Sequence, residues 1–470
     1  MLATLLVSAA QAQDANLPEL SDASSAGATL EKEHELGRLW LKAFRSRTQE
    51  YPDPETQQYV EQLIYRLLVH SELKDRRLEI AVVDNPTMNA FAVPGGVVGV
   101  HNGLFNFAES EHQLASVLAH ELAHLSQRHF ARGLQERKKN SVTAMAGLLA
   151  GLVLAATSKG DAGIAALTAS QALSQDQQLR YSRQNEQEAD RIGIETLHKA
   201  GLDPNGAPRM FERMQHASRF SGQRVPEFLR THPLTEKRIS DTQLRANDYD
   251  PKEYEDNLDY HLIRARILLH FEGNASRAAK RFRSQLKGTD GTPPQAAQYG
   301  LVLALIAGEK LTEARQELNK LQKQGSNQLY KLAELDLLLA QGNNEEVIRL
   351  ARKQLLLYPN NHALKIKLAT AYTKAKKFQL ANQQLTQLSR QRPTDPQVWY
   401  QLAEVRGLAG DIVGLHRARA EYFILVGAFN MARDQLNHAA KLSRHDFQQS
   451  AIINEKLIQL AALEKQIEKL

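Results

Sequence analysis

His120-Glu121-Leu122-Ala123-His124 constrains this chain more than any other stretch, because its residues can act together only on a helix. Positions four apart share a helix face, so the two imidazoles can grip one metal ion, and Glu121 is placed to reach a water beside it. Zinc lowers the pKa of a bound water to about 7, and a neighbouring carboxylate can take the proton as the oxygen attacks a peptide carbonyl. The pattern therefore calls for a helix, a third protein ligand from elsewhere and an open fourth position.

Gln127 and Phe130 stand where a three-histidine site of the metzincin type would need glycine and histidine, which excludes that class. A better source is Arg183-Gln184-Asn185-Glu186-Gln187-Glu188-Ala189-Asp190-Arg191. Glu186 and Asp190 are one helical turn apart, so Glu186 can ligate while Asp190 hydrogen-bonds a ligating histidine or the reacting groups. Glu188 points to a different face and is not expected to ligate. The expected cofactor is one Zn2+ per chain.

The two motifs, the first preceded by Leu114-Ala115-Ser116-Val117-Leu118-Ala119 and the second of the form Glu-x-x-Ala-Asp, resemble the gluzincin peptidases of the CAAX-prenyl-protease and HtpX type. Asn89-Ala90-Phe91-Ala92-Val93-Pro94-Gly95-Gly96 and Thr231-His232-Pro233 fit the same family, over about residues 30 to 245. Helical repeats further on narrow the resemblance to the periplasmic subgroup of β-barrel assembly-enhancing proteases. It implies that His120, His124 and Glu186 bind zinc, that Glu121 is the general base and that Asp190 is a proton donor. It also implies a periplasmic endopeptidase acting on unfolded or misassembled outer-membrane proteins, with chaperone-like activity, which meets the β-barrel assembly machinery through its repeats. The rival reading is a non-proteolytic chaperone or scaffold with a structural or latent zinc site. The intact His-Glu-x-x-His argues against it, since a structural zinc needs no general base.

His232 lies in a proline-containing turn ahead of a helical stretch, Leu234 to Ala246. Two functional roles are open to it: a hydrogen bond to the oxyanion of hydrolysis, or occupation of the metal's open position to hold the enzyme off. A turn histidine without a role is the third reading.

A chain of 470 residues is too long for one core. Its net charge of +6 divides unevenly: residues 1–250 carry 27 positive and 31 negative charges (−4), residues 251–470 carry 32 and 22 (+10). The basic half suits an acidic partner or an anionic surface, and solubility explains it equally well. Aromatic residues are not interleaved with basic ones in any nucleic-acid module, so no nucleic-acid partner is expected. The apolar Met1–Ala12 segment, ending Ala10-Gln11-Ala12, reads as a signal peptide lacking its basic start, followed by a flexible lead-in over 13–29. The absence of cysteine is compatible with export.

Helical periodicity covers residues 30–70, and short strands are expected at Leu78–Val83, Ala90–Val93 and Val97–Val100. Beside the zinc helix such a sheet can pair with an extended substrate, with Asn89, Val97, Val98 and Gly99 as the edge-strand candidates. The apolar stretches between 141 and 173 are too short to cross a bilayer. They read as a helical hairpin near the cleft, with peripheral contact to the outer membrane or to an apolar client as the alternative. From about 260 the pattern repeats: Gly308, Gly342, Lys376 and Gly410 are each 34 apart, the period of tetratricopeptide repeats. About four repeats fit before 395, then a partial fifth and a segment whose phase slips at Gly427. The expected architecture is mainly α: a zincin-like metalloprotease domain with a small β-sheet at 30–250, then an α-solenoid of tetratricopeptide repeats at 251–470. Their distinct patterns suggest two separable modules.

Overall fold

The structure, a computed structural model, describes residues 29–136, 182–220, 226–250, 252–288 and 291–467. The expected signal peptide, nearly all of the lead-in and the apolar stretches at 141–173 lie outside the described residues. Thr29, the last residue of that lead-in, caps the first helix by accepting a hydrogen bond from Lys32 N.

That helix, α1 (Leu30–Arg45), buries Leu36, Trp40 and Phe44, a stripe with the four-residue spacing of one helix face. Proline at its first position and the Asp53 cap, which accepts from Thr56 N at 3.0 Å, start α2 (Pro54–Leu68). Tyr59, Val60, Leu63, Ile64 and Leu67 form the buried ridge of α2.

Three strands follow: β1 (Glu79–Val83), β2 (Ala90–Val93) and β3 (Val97–His101). The sheet order is β1-β3-β2, with β1 and β3 parallel and β2 and β3 antiparallel. This corrects part of the expected edge. Val97, Val98 and Gly99 lie in the middle strand, paired on both sides, and cannot accept another strand. The β2–β3 turn folds β3 back into the centre and leaves β2 outermost. Asn89, just ahead of β2, accepts from His101 N at 3.1 Å. Alternation along an antiparallel pair then turns the backbone groups of Ala90 and Ala92 away from β3.

Beyond α3 (Leu104–Phe107) runs α4 (Glu111–Ser126), in which every residue from Glu111 to His124 is buried. A helix buried on all sides is a core element. Its Ser110 cap accepts from Gln113 N, and Tyr59 and Asn257 donate to Glu111 Oε1 at 2.8 and 2.6 Å. After α5 (His129–Glu136), α6 (Arg183–Lys199) lies along α4. Gly193 permits the close approach: a Cβ there would sit 3.2 Å from the His120 nitrogen. The helices α7 (Gly206–Phe220), α8 (Glu227–Thr231) and α9 (Glu236–Asn247) complete this part.

The C-terminal half is a run of helical hairpins: α10 (Leu258–Glu272), α11 (Ala275–Gln285), α12 (Pro294–Ala307), α13 (Leu311–Gln324), α14 (Gln328–Ala340), α15 (Asn344–Leu357), α16 (His362–Lys374), α17 (Phe378–Gln391), α18 (Pro396–Leu408), α19 (Ile412–Leu425), α20 (Phe429–Leu442) and α21 (Phe447–Ile467). Gly342, Lys376 and Gly410 do close turns with positive φ, whereas in the earlier turn Glu309, not Gly308, takes that conformation. The slip at Gly427 is a half-period: it marks the turn between α19 and α20. There the solenoid meets α1 so closely that any side chain would run into the Lys42 carbonyl.

The solenoid curls around the first half. Ten of the thirteen residues of α16 are buried, against four in α17, because α16 packs on α2 while α17 faces outward. Gln58 Oε1 accepts from His362 N at 2.9 Å, Arg45 donates to the Thr394 carbonyl at 3.1 Å, and Lys367 Nζ lies 2.7 Å from the buried Glu55. Tyr260 of α10 stacks on Phe105 and donates to the Ala108 carbonyl at 2.7 Å. One continuous apolar core runs from Tyr59 to Ala418. The two sequence patterns thus share a contiguous apolar core. Among the described residues, no helix is long and apolar enough to cross a membrane.

Candidate metal centre

His120 and His124 project from one face of α4, and Glu186 and Asp190 from the facing turn of α6. Two histidines, one carboxylate and His232, at the end of α8, bring one donor atom each within 4.8 Å of one another, all buried. The two Nε2 atoms are 2.9 Å apart, and each lies 3.5 Å from a Glu186 oxygen. His232 Nδ1 is 3.3 Å from His120 Nε2 and 3.0 Å from Glu186 Oε1.

The donors fit a metal ion. A tetrahedral site with bonds of about 2.0–2.1 Å sets its donors roughly 3.3 Å apart, which these separations bracket. Among the described residues, Glu186 Oε2 is buried without a hydrogen-bond partner, although Arg238 Nη1 stands 2.7 Å away. Burial would raise the Glu186 carboxyl, but His232 and His120 outweigh it and hold it well below its usual range. Burial also works against a charged His120, yet Asp190 and Glu186 raise it to about 9, while burial and the His120 charge push His124 down. The ionised carboxylate of Glu186 suits a cation, and a metal ion bound there would displace the proton from His120.

Glu121, one residue beyond His120, is almost fully buried, and its Oε1 has no hydrogen-bond partner among the described residues. Burial holds this carboxyl above its usual range, against the charges of His232 and His120 and a hydrogen bond with the Ala92 backbone. The outer edge of β2 therefore passes directly beside Glu121.

The sequence profile of peptidase family M48 matches residues 54–246, and a tetratricopeptide-repeat profile matches 338–405. A relative from Vibrio cholerae is 35% identical over 442 residues, 94% of this chain and 91% of its own. The β-barrel assembly-enhancing protease of Escherichia coli K12 is 32% identical over 453 residues, 96% of this chain and 92% of that one. The chain belongs to the β-barrel assembly-enhancing protease family. The mitochondrial metalloendopeptidase OMA1 of Schizosaccharomyces pombe shares 34% identity over 208 residues, 43% of this chain and 58% of its own. As a member of the family, the chain is a metalloendopeptidase with a buried metal site and tetratricopeptide repeats.

Asp190 sits at the back of His120. Its Oδ1 is 2.9 Å from His120 Nδ1, and Arg238 donates to both of its oxygens at 2.7 and 2.8 Å. Burial would raise Asp190, but Arg238 holds it ionised, below its usual range. A carboxylate so engaged has no proton to give, and it faces away from the donor cluster, which argues against the proton-donor role and for the hydrogen bond to a ligating histidine. Arg238 was not expected from the sequence. Its signal is slight: a basic residue six positions past His232, on the first turn of a helix capped by Thr235. His129 was missed as well. Its Nδ1 lies 2.9 Å from His124 Nδ1, and its Nε2 lies 3.1 Å from Glu188. Burial lowers His129 to about 4. Glu188 indeed stays outside the donor cluster.

Proposed function

We propose that this chain is a zinc-dependent endopeptidase of the bacterial periplasm, in which His120, His124 and Glu186 hold the ion. The convergence of their donor atoms beside the buried Glu121 carries this reading. Zinc bound there supplies Lewis-acid charge for the peptide carbonyl and acidifies water. Glu121 takes the proton of the attacking water on a carboxylate oxygen and hands it to the departing amine; a raised pKa suits a group that must both accept and return a proton. Asp190, clamped by Arg238, fixes the ring of His120 through Nδ1 and is assigned orientation rather than proton donation. The outward backbone of Ala90 and the Ala92 carbonyl offer an edge to which an extended segment adds as a strand, favouring unfolded substrates over a sequence motif. Asn89 stands at the start of that edge. His232, the fourth donor, is assigned to the metal's open position, where it holds the enzyme at rest.

The substrates follow from the relatives' name: unfolded or misassembled outer-membrane β-barrel proteins, degraded when stalled and otherwise helped to assemble. The solenoid is assigned to the β-barrel assembly machinery, with peripheral contact to the outer membrane as an accessory role. The test is metal analysis followed by hydrolysis of an unfolded β-barrel protein with and without a chelator. Zinc at one per chain and chelator-sensitive cleavage support the reading. Zinc without cleavage, even after substitution of His232, leaves the non-proteolytic chaperone.

A further inference from the structure

We propose that His129 and Glu188 are positioning residues that fix the tautomer and ring orientation of His124. The inference rests on the reading of His124 as a metal ligand.

The argument is a count of protons along one line of atoms. Arg132 Nη2 lies 2.8 Å from Glu188 Oε2, and His129 Nε2 lies 3.1 Å from the same oxygen. A carboxylate accepts only, so His129 Nε2 carries a hydrogen. The His124 atom that faces Glu186 and His120 is Nε2, so ligation there leaves the ring hydrogen on Nδ1. That hydrogen lies between the two Nδ1 atoms at 2.9 Å, where His129 accepts it while donating its own to Glu188. The opposite order of hydrogens would put a proton on Nε2 and close it to ligation.

The backbone supports the relay independently. Arg128, between α4 and α5, has φ of 50°, in the left-handed region that non-glycine residues adopt at a cost. Its guanidinium is tied to Glu33 of α1 at 2.5 Å. This bend turns the chain sharply at the end of the metal helix and brings His129 back against His124, five residues earlier. His120 is oriented by a carboxylate directly; His124 is oriented by a carboxylate acting through a second imidazole.

Zinc affinity, from competition with a chromogenic chelator, and the visible spectrum of the cobalt-substituted protein test this. His129→Gln keeps a carbonyl oxygen to accept from His124 and an amide to donate to Glu188; His129→Phe keeps the bulk and neither bond. The Phe variant should bind zinc about 10- to 100-fold more weakly and shift the cobalt spectrum, with the Gln variant within about threefold of wild type. Glu188→Ala, at a partly exposed position that leaves folding intact, should weaken zinc in the same direction. The relay is overturned if His129→Phe binds zinc like wild type, if Gln and Phe lose affinity equally, or if Glu188→Ala changes neither readout. His124→Ala separates the two readings: zinc binding undiminished in that variant refutes the ligand assignment itself.

Discussion

Nδ1 of His232 lies 3.0 Å from Oε1 of Glu186, which sets the turn histidine among the candidate metal donors. Phe228, stacked on the His232 ring at 4.6 Å, and the bond from Phe228 N to the Met88 carbonyl hold it there. A fourth protein donor closes the position that catalysis needs. His232→Ala should therefore raise basal hydrolysis of an unfolded substrate. A tenfold rise corresponds to a closed form favoured by only about 1.4 kcal/mol. A fall in rate would instead assign His232 to the oxyanion.

Glu121→Gln should abolish hydrolysis while zinc remains bound. The carboxylate handles the proton and is not a ligand, and loss of a general base costs about 10²- to 10⁴-fold. Zinc content measured alongside the rate checks both halves, and turnover within a few-fold of wild type sinks the assignment.

Glu186→Ala should lose the metal, because two histidines alone make a poor zinc site. Asp190→Asn should keep much of it, with affinity and rate falling by roughly 10- to 100-fold. Arg238→Met should resemble Asp190→Asn, since it frees the carboxylate that orients His120. Full zinc occupancy in the Glu186 variant would require another ligand.

Glu227 opens α8, the short helix that ends at His232. Thr87 donates to its Oε2 at 3.0 Å, its Oε1 is buried without a hydrogen-bond partner among the described residues, and burial raises the carboxyl to about 7, against the Thr87 bond and the Arg230 charge. The folded chain holds a proton that the unfolded chain releases near 4.5, so stability falls as pH rises between 4.5 and about 7. The favourable contribution is whole below that window and gone above it. Thermal unfolding of the metal-free protein should drop from about pH 5 to about pH 8 more steeply in wild type than in Glu227→Gln. Parallel curves would show that Glu227 does not titrate in this window.

Glu55, on α2, is 3% exposed, 2.7 Å from Lys367 and 3.3 Å from Arg266 of the solenoid. Burial would lower Lys367, yet Asp336 and Glu55 outweigh it and raise it. Glu55→Ala leaves Lys367 to Asp336 and Arg266 to Asp53 but removes one buried carboxylate from the cluster, and should destabilise the whole chain by about 1–3 kcal/mol in denaturant unfolding. By the same packing, a fragment spanning 30–250 should be insoluble or metal-free. A soluble, zinc-binding fragment would show that the catalytic half folds alone.

What the sequence determined by itself is local and periodic. Four-residue spacing put His120 with His124, and Glu186 with Asp190, on single helix faces. Alternation and turn residues marked the strands, and a period of 34 marked the repeats. Each rests on geometry that a few neighbouring residues impose on themselves. Strand order is different in kind: Val97 to Gly99 became the central strand because β3 pairs with β1 across a connection that no short window reveals. Arg238 on Asp190, His129 on His124, His232 among the donors and Lys367 on Glu55 were likewise decided only in three dimensions. Apart from His129, these partners lie 46 or more residues from the groups they meet, and even His129 depends on the bend at Arg128. Burial then converts those meetings into strong electrostatic pairings, because charges removed from water must find one another within the fold.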